Sequence, residues 1–337
     1  MGLGVARTLV RAGFETLGCD LRPEALRSLE RDGGVSCTAP SAMGSRCQVV
    51  IVLVVNEAQT EEALFGPAGA VSTLHPGSVV ISSATVSPNY AGDLGRRLGE
   101  NGILMLDAPV SGGAARAAEG KLTMMTSGPA EAYAKCEDVL GSVAATVYHL
   151  GDAHGMGSRV KMLNQLLAGV HIAAMAEALA LGIREGVDLK VLYEVITHSA
   201  GNSWMFENRA PHVLEGDYTS LSAVDIFVKD LGLVLDAARA TKFPLPLSAA
   251  AHQMFMMASS AGHGRSSDST GGDAGPRSIG SARRFSPRSA SRQTLVAIRY
   301  SQDRTEERPS NRADDRQARS IVSCTASSAS KPEPSIR

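Results

Sequence analysis

A doubly wound, mostly parallel α/β sheet followed by an all-helical domain is what these 337 residues predict. Three observations carry that expectation. Short β-rich runs alternate with amphipathic helical stretches through residues 1–150. The run Val49–Val55 is apolar at every position, as a strand covered on both faces should be. After Gly157 the alternation gives way to helical periodicity alone.

In chain order, strands are expected at Phe14–Asp20, Cys47–Val54, Ser78–Ser82, Ile103–Ala108, Leu122–Ser127 and Thr146–Leu150. Amphipathic helices are expected between them, at Gly2–Ala12, Pro23–Arg31, Glu57–Phe65, Pro88–Gly99 and Pro129–Leu140. Ser158–Gly186 then reads as one helix rich in Ala, Leu and Met, about 40 Å long at about 1.5 Å per residue. Shorter helices follow at Asp188–Ser199, Leu231–Thr241 and Pro246–Ser260. The domains are therefore expected at 1–150, 151–264 and 265–337, the last a disordered appendage. It holds 13 Arg and 16 Ser in 73 residues, with one short apolar run at Leu295–Ile298. Too little apolar surface is there to offset the entropy of ordering.

Charge divides at the same place. Residues 265–337 carry 14 basic and 8 acidic side chains, a net of +6. The totals of 33 and 34 then leave 19 and 26 for residues 1–264, a net of −7. An acidic body does not suit nucleic acid, although the tail's arginines could meet phosphates. The five cysteines have no ligand-like spacing and predict neither a disulfide framework nor a zinc site, which fits a reducing cytoplasm. His154, His171, His198 and His212 likewise show no metal-ligand spacing. No signal peptide is visible. The most lipid-like stretch, Leu166–Ile183, contains His171 and Glu177 and reads as a buried helix rather than a membrane span.

The first residues carry a partial dinucleotide signature. A dinucleotide fold opens with a strand, then G-x-G-x-x-G, then a helix, with an acid some 20 residues on to meet the adenosine ribose. Here Gly2 opens the helix and Asp20 ends the next strand, 18 residues later. The layout is that of a Rossmann-like fold with its first strand and first two glycines missing. Asp20 favours NAD, since a 2′-phosphate would meet its charge, and neighbouring Arg22 leaves NADP open.

Three longer motifs bear on chemistry. Ser111-Gly112-Gly113 follows a strand, and its glycines let backbone N–H groups turn toward a carboxylate. Lys161 and Asn164, three apart on a helix, share an otherwise apolar face that would partly desolvate the ammonium. Lys229 and Asp230 stand where the helix at Leu231 is expected to start. Asp107-Ala108-Pro109-Val110-Ser111-Gly112-Gly113, Gly155-Met156-Gly157-Ser158-Arg159-Val160-Lys161-Met162-Leu163-Asn164-Gln165 and Phe227-Val228-Lys229-Asp230-Leu231-Gly232-Leu233, in this order, resemble the signatures of the β-hydroxyacid dehydrogenase family. The resemblance runs from Met1 to about Gly264. Within the family, His198–Phe206 and Cys19–Pro23 are most similar to the branch that acts on L-threonate; the tartronate semialdehyde and 3-hydroxyisobutyrate branches are the alternatives.

The resemblance implies an oxidoreductase that takes hydride from a small hydroxy acid to NAD, with NADP second. It implies Lys161 as catalytic acid/base and a substrate site at Ser111, Gly112, Gly113 and Asn164; Asn202 and Ser203 are expected to meet further hydroxyls of a polyol acid. Gly2, Asp20, Asn56, Thr85 and Lys229 would meet the dinucleotide. It further implies a homodimer or homotetramer; that no membrane partner and no metal are expected follows from the composition and spacing above. The missing glycines keep a non-catalytic truncated product or scaffold as the reading from another class.

Overall fold

The computed structural model describes residues 1–216, 222–265, 267–268 and 322–326. Its residues divide into two compact units, Met1–Lys161 with Ala313–Arg337, and Met162–Arg312.

The first unit alternates as the sequence predicts. Its elements are α1 (Gly2–Arg11), β1 (Glu15–Cys19), α2 (Pro23–Arg31), β2 (Val35–Ser36), α3 (Ser41–Gly44), β3 (Val49–Val52), α4 (Glu57–Phe65), β4 (Val79–Ser82), α5 (Pro88–Glu100) and β5 (Leu104–Asp107). There follow β6 (Val110–Ser111), α6 (Gly113–Glu119), β7 (Leu122–Thr126), α7 (Ala130–Val143) and β8 (Ala144–His149). Strands β3 and β4 are buried along their whole length, as the apolar runs Val49–Val52 and Val79–Ile81 require. Two apolar cores cover the sheet. One groups Leu9, Ile51, Ile81 and Leu106; the other groups Leu17, Val50, Val80 and Leu98. Leu106→Ala, at a fully buried position, should lower unfolding free energy by about 2–5 kcal/mol in a urea titration.

The sheet differs from expectation in two ways. β7 and β8 leave it for a three-stranded sheet, β6-β7-β8, in which β6 pairs antiparallel and β8 parallel to β7. The expected single sheet ignored Pro109 and the Gly-rich turn after it, which redirect the chain. The second difference concerns the strand β9 (Val322–Ala326). The large sheet runs β2-β1-β9-β3-β4-β5, so β9 lies at its centre, antiparallel to both neighbours. Leu17 and Val50 both pair with Cys324. The position of the missing first strand is therefore filled by β9, and the expectation of disorder after Gly264 fails at this segment. Two facing rows of unpaired backbone groups supply hydrogen bonds that composition does not register. The run Leu295–Ile298 lies outside the described residues.

In the second unit lies most of α8 (Met156–Arg184), followed by α9 (Leu189–Thr197), α10 (Trp204–Glu215), α11 (Val224–Thr241) and α12 (Pro246–Ala258). Their core joins Ile172, Met175, Leu179, Phe206, Phe227, Leu231 and Phe255. Ser267 and Asp268 also belong to this folded unit. The Asp268 amide donates to the Ser222 carbonyl, and its buried carboxylate pairs with Arg209 Nε at 2.9 Å. The expected end of regular packing at Gly264 is thus too early, because a buried ion pair leaves no mark on apolar periodicity. Among the described residues, α8 is the helix long and apolar enough to cross a membrane by length and composition, and a third of its most apolar stretch is buried. Cys19, Cys37 and Cys136 are free thiols, whereas Cys47 is disulfide-bonded, against the expectation from spacing. Bridges follow proximity in space rather than separation in sequence.

Candidate active site

Ligands of open α/β sheets bind outside the carboxyl ends of the strands. The first unit brings the expected dinucleotide residues to that edge. Asp20 follows β1, Asn56 follows β3 and caps α4, and Thr85 follows β4. Gly2 opens α1, which has no side-chain cap, so its first-turn amides lack partners within the helix. Gly4 brings α1 close to α6, since a Cβ there would lie 2.9 Å from the Ala118 amide.

Asp20 is buried and its oxygens are held by Arg22. The Arg22 amide donates to Oδ1 at 2.9 Å and Nη2 to Oδ2 at 3.1 Å. Arg22 itself is half exposed, and the Asp20 contact holds its guanidinium above its ordinary pKa. The two residues therefore present both an acid and a cation just past the carboxyl end of β1. Buried Ser83 Oγ, just past β4, has no hydrogen-bond partner among the described residues. These donors and acceptors at the carboxyl edge fit a dinucleotide. Asn56 is partly committed, because its Oδ1 accepts from the Gln59 amide.

The Gly-rich turn has the conformation its sequence implied. Gly112 and Gly113 have φ of 127° and 73°, in the left-handed region that favours glycine. Gly112 precedes α6 without a side-chain cap, and its would-be Cβ lies 2.9 Å from Arg116 Cβ. Ser111 ends β6, paired with Thr123.

Lys161 lies in the second turn of α8 and is only 7% exposed. Asn164 follows on the same helix, half-buried, with its Nδ2 donating to Gln165 Oε1 at 3.0 Å. Gln165, buried, donates from Nε2 to Asp230 Oδ2 at 2.5 Å, and Lys229 Nζ stands 2.5 Å from Asp230 Oδ1. Asp230 thus ties the expected cofactor lysine to the amide beside Asn164. The expected helix start at Leu231 is corrected here: α11 begins at Val224, so Lys229 and Asp230 lie within it. The run Val224-Asp225-Ile226-Phe227 forms its first turn, and Asp230, inside the helix rather than at its start, is 1% exposed.

Asn202 and Ser203 immediately precede α10, Ser203 as its N-cap. Ser203 Oγ accepts from the Phe206 amide, an N-cap, and Asn202 Nδ2 donates to Glu207 and to the Thr197 carbonyl. Asn202 Oδ1 is buried without a hydrogen-bond partner among the described residues. Gln165 and Asp230 stand in the quoted motifs, but the sequence does not show that they pair with each other; the one signal is polar side chains on otherwise apolar helix faces. Sequence reasoning also passed over Asp107 as a side chain, although that residue stood in a quoted motif. No group of His, Cys, Asp and Glu able to hold a metal occurs among the described residues.

Known proteins are similar to this chain along most of its length. Residues 1–151 match the NAD-binding domain of 6-phosphogluconate dehydrogenase, and residues 155–271 match the NAD-binding domain of NADP-dependent 3-hydroxyisobutyrate dehydrogenase. The chain is 70% identical to the L-threonate dehydrogenase of Cupriavidus necator over 269 residues, covering 80% of this chain and 91% of that one. A crystal structure of 3-hydroxyisobutyrate dehydrogenase from Salmonella typhimurium is similar with a TM-score of 0.76 at 49% identity, covering 80% of this chain and 94% of the other. Psf3 in complex with NADP+ and 2-OPP is similar at 25% identity with a TM-score of 0.74, covering 80% and 95%. With both domains matched and the catalytic-type fold in place, the chain belongs to the 3-hydroxyisobutyrate dehydrogenase-like family of NAD(P)-binding hydroxyacid dehydrogenases.

Proposed function

We propose that this chain oxidises L-threonate to 2-dehydro-L-erythronate with NAD, and that Lys161 is its general acid/base. The observation that carries the reading is the nine-tenths burial of Lys161 near the start of α8. That burial shields the amine from bulk water, as a group that exchanges a proton with a bound substrate requires. The 70% identity to an L-threonate dehydrogenase supports the substrate.

The chemistry a bound nicotinamide supplies is acceptance of hydride from the carbinol carbon. Lys161 Nζ takes the hydroxyl proton as that hydride leaves, and returns it in the reverse direction. The amides of Ser111, Gly112 and Gly113 hold the substrate carboxylate. Asn164, Asn202 and Ser203 meet the remaining hydroxyls, Ser203 with what its capping bond leaves free. Gly2, Asp20, Asn56, Thr85 and Lys229 hold the dinucleotide, and Asp20 selects NAD. Replacing Asp20 with Ser would free Arg22 for a 2′-phosphate. The ratio of kcat/KM for NAD over NADP should fall at least tenfold in Asp20→Ser; an unchanged ratio would remove Asp20 from the specificity role.

We further propose a cytoplasmic homo-oligomer. Leu163, Leu167, Leu181, Val191, Val195 and Trp204 are each more than half exposed, and so much apolar surface suits a partner copy. The decisive assay is NAD reduction with L-threonate, 3-hydroxyisobutyrate and D-glycerate, and NADH oxidation with tartronate semialdehyde. L-Threonate should give the highest kcat/KM. Turnover of 3-hydroxyisobutyrate alone would reassign the branch, and no NADH binding by folded protein would sink the reading as an enzyme.

A further inference from the structure

The start of α8 is held by a residue with no role in the reading above. Asp107 ends β5, and its backbone pairs with Ser127 in both directions, each bond 2.9 Å. Its carboxylate points to the first residues of α8. Oδ2 accepts from the Gly155 amide at 3.0 Å and the Ser158 amide at 2.9 Å. Oδ1 accepts from Ser158 Oγ at 2.7 Å. Ser127 Oγ in turn accepts from the Gly157 amide at 3.1 Å. Three backbone N–H groups at the helix start, which have no partner inside the helix, are thus satisfied from the neighbouring sheet. The two side chains act as a cap lent by another element, with a negative charge at the positive end of the helix dipole.

The sequence around the clamp is built for this approach. A Cβ on Gly157 would lie 2.4 Å from the Met125 carbonyl oxygen and 2.7 Å from that of Asp107. Gly155 has φ of 96°. Asp107, Ser127 and Ser158 are each at most 1% exposed. Burial pushes the Asp107 carboxyl above its ordinary pKa, and the bonds from Ser158, Gly155 and Ser127 pull it back down.

We propose that Asp107, with Ser127, is the positioning residue for Lys161, fixing the rotation and the first turn of α8. The proposal rests on the assignment of Lys161 made above. Ser158 and Lys161 are three apart, so they share a helix face, and the point that Asp107 grips lies one turn before the amine. On a helix of about 2.3 Å radius, a rotation of roughly 20° moves a Cα by roughly 0.8 Å, and the end of a lysine stem by more. A misplacement of about 1 Å in a reacting group costs on the order of 100-fold in rate.

The test uses the full chain with Asp107→Asn and, as the milder variant, Ser158→Ala. Asp107→Asn should lower kcat on L-threonate by about 10- to 100-fold, with KM and the NADH Kd within twofold. A second readout needs no turnover: the acylation rate of Lys161 by a small N-hydroxysuccinimide ester, followed by peptide mass mapping. That rate should rise several-fold in Asp107→Asn as the first turn loosens. Ser158→Ala should move both quantities the same way by less, and it decides the matter if Asp107→Asn fails to fold. A drop in Tm with unchanged kcat and unchanged Lys161 acylation would overturn the proposal and leave Asp107 a stability cap. If the wild type turns over no hydroxy acid, the proposed function fails, and the acylation rates alone judge the positioning.

Discussion

Lys161→Ala should reduce kcat on L-threonate by roughly 10²- to 10⁴-fold, the range that a positioned general acid/base contributes. NADH binding should survive, because the side chains assigned to the dinucleotide stand elsewhere, Asp20 after β1 and Asn56 after β3. Calorimetric titration separates the two outcomes. Lost turnover with kept binding supports proton transfer by Lys161; lost binding indicates that the substitution disturbed the fold. Lys161 is buried, so Lys161→Met, which keeps the stem's volume, is the companion variant. It should show the same loss in kcat with a smaller change in Tm.

The second large effect is on stability. Arg209 is 11% exposed at its side chain and Asp268 not at all. Removing one member of a buried pair leaves an uncompensated charge and costs about 3–5 kcal/mol. Arg209→Met should therefore destabilise the helical unit by about that amount in urea unfolding at about pH 7. The sign of the pH dependence follows from Asp268. Burial already raises its carboxyl, with Arg209 opposing, so loss of Arg209 raises it further. An acid whose folded pKa lies above its unfolded one costs nothing when protonated in both states. Its cost grows as pH rises through the unfolded and then the folded value. The deficit of Arg209→Met should accordingly shrink on acidification. A deficit that is constant with pH would mean that lost packing of the arginine stem, not the stranded carboxylate, is responsible.

Much of this architecture was legible where local signals and burial agree. Pro23–Arg31 and Glu57–Phe65 form as their amphipathic patterns predict, at the same residues. β3 and β4 lie inside their apolar runs. The missed elements have a common cause. Val35–Ser36 and Val110–Ser111 are two-residue strands whose existence depends on a partner, too short for periodicity to show. α10 contains Pro211, which argues against a helix when read locally, although Ser203 at its start and Gly216 at its left-handed end bracket it. Helix α6, poor in large apolar residues, is largely exposed. At the candidate site, Lys161 and the glycines at 112 and 113 stand out in the sequence through the motifs that carry the resemblance, and the structure buries the first and gives the other two positive φ. Asp107, Gln165 and Asp230 act across the fold, on partners 51 and 65 positions away, and no spacing rule reports that.

The central strand has a consequence for how the molecule is made. Val52 and Val322 are register partners, yet 322 − 52 = 270 positions separate them. At roughly 5–20 residues per second, synthesis of the intervening chain takes on the order of 15–50 s. Until β9 arrives, the edges of β1 and β3 that pair with it in the finished sheet lack their partner. Closing so long a loop also costs roughly 5 kcal/mol in its logarithmic part, and such distant pairing slows folding. The nascent chain therefore carries two adhesive edges for most of its synthesis, so yield in expression should depend on temperature and chaperone supply far more than the finished protein's stability would indicate.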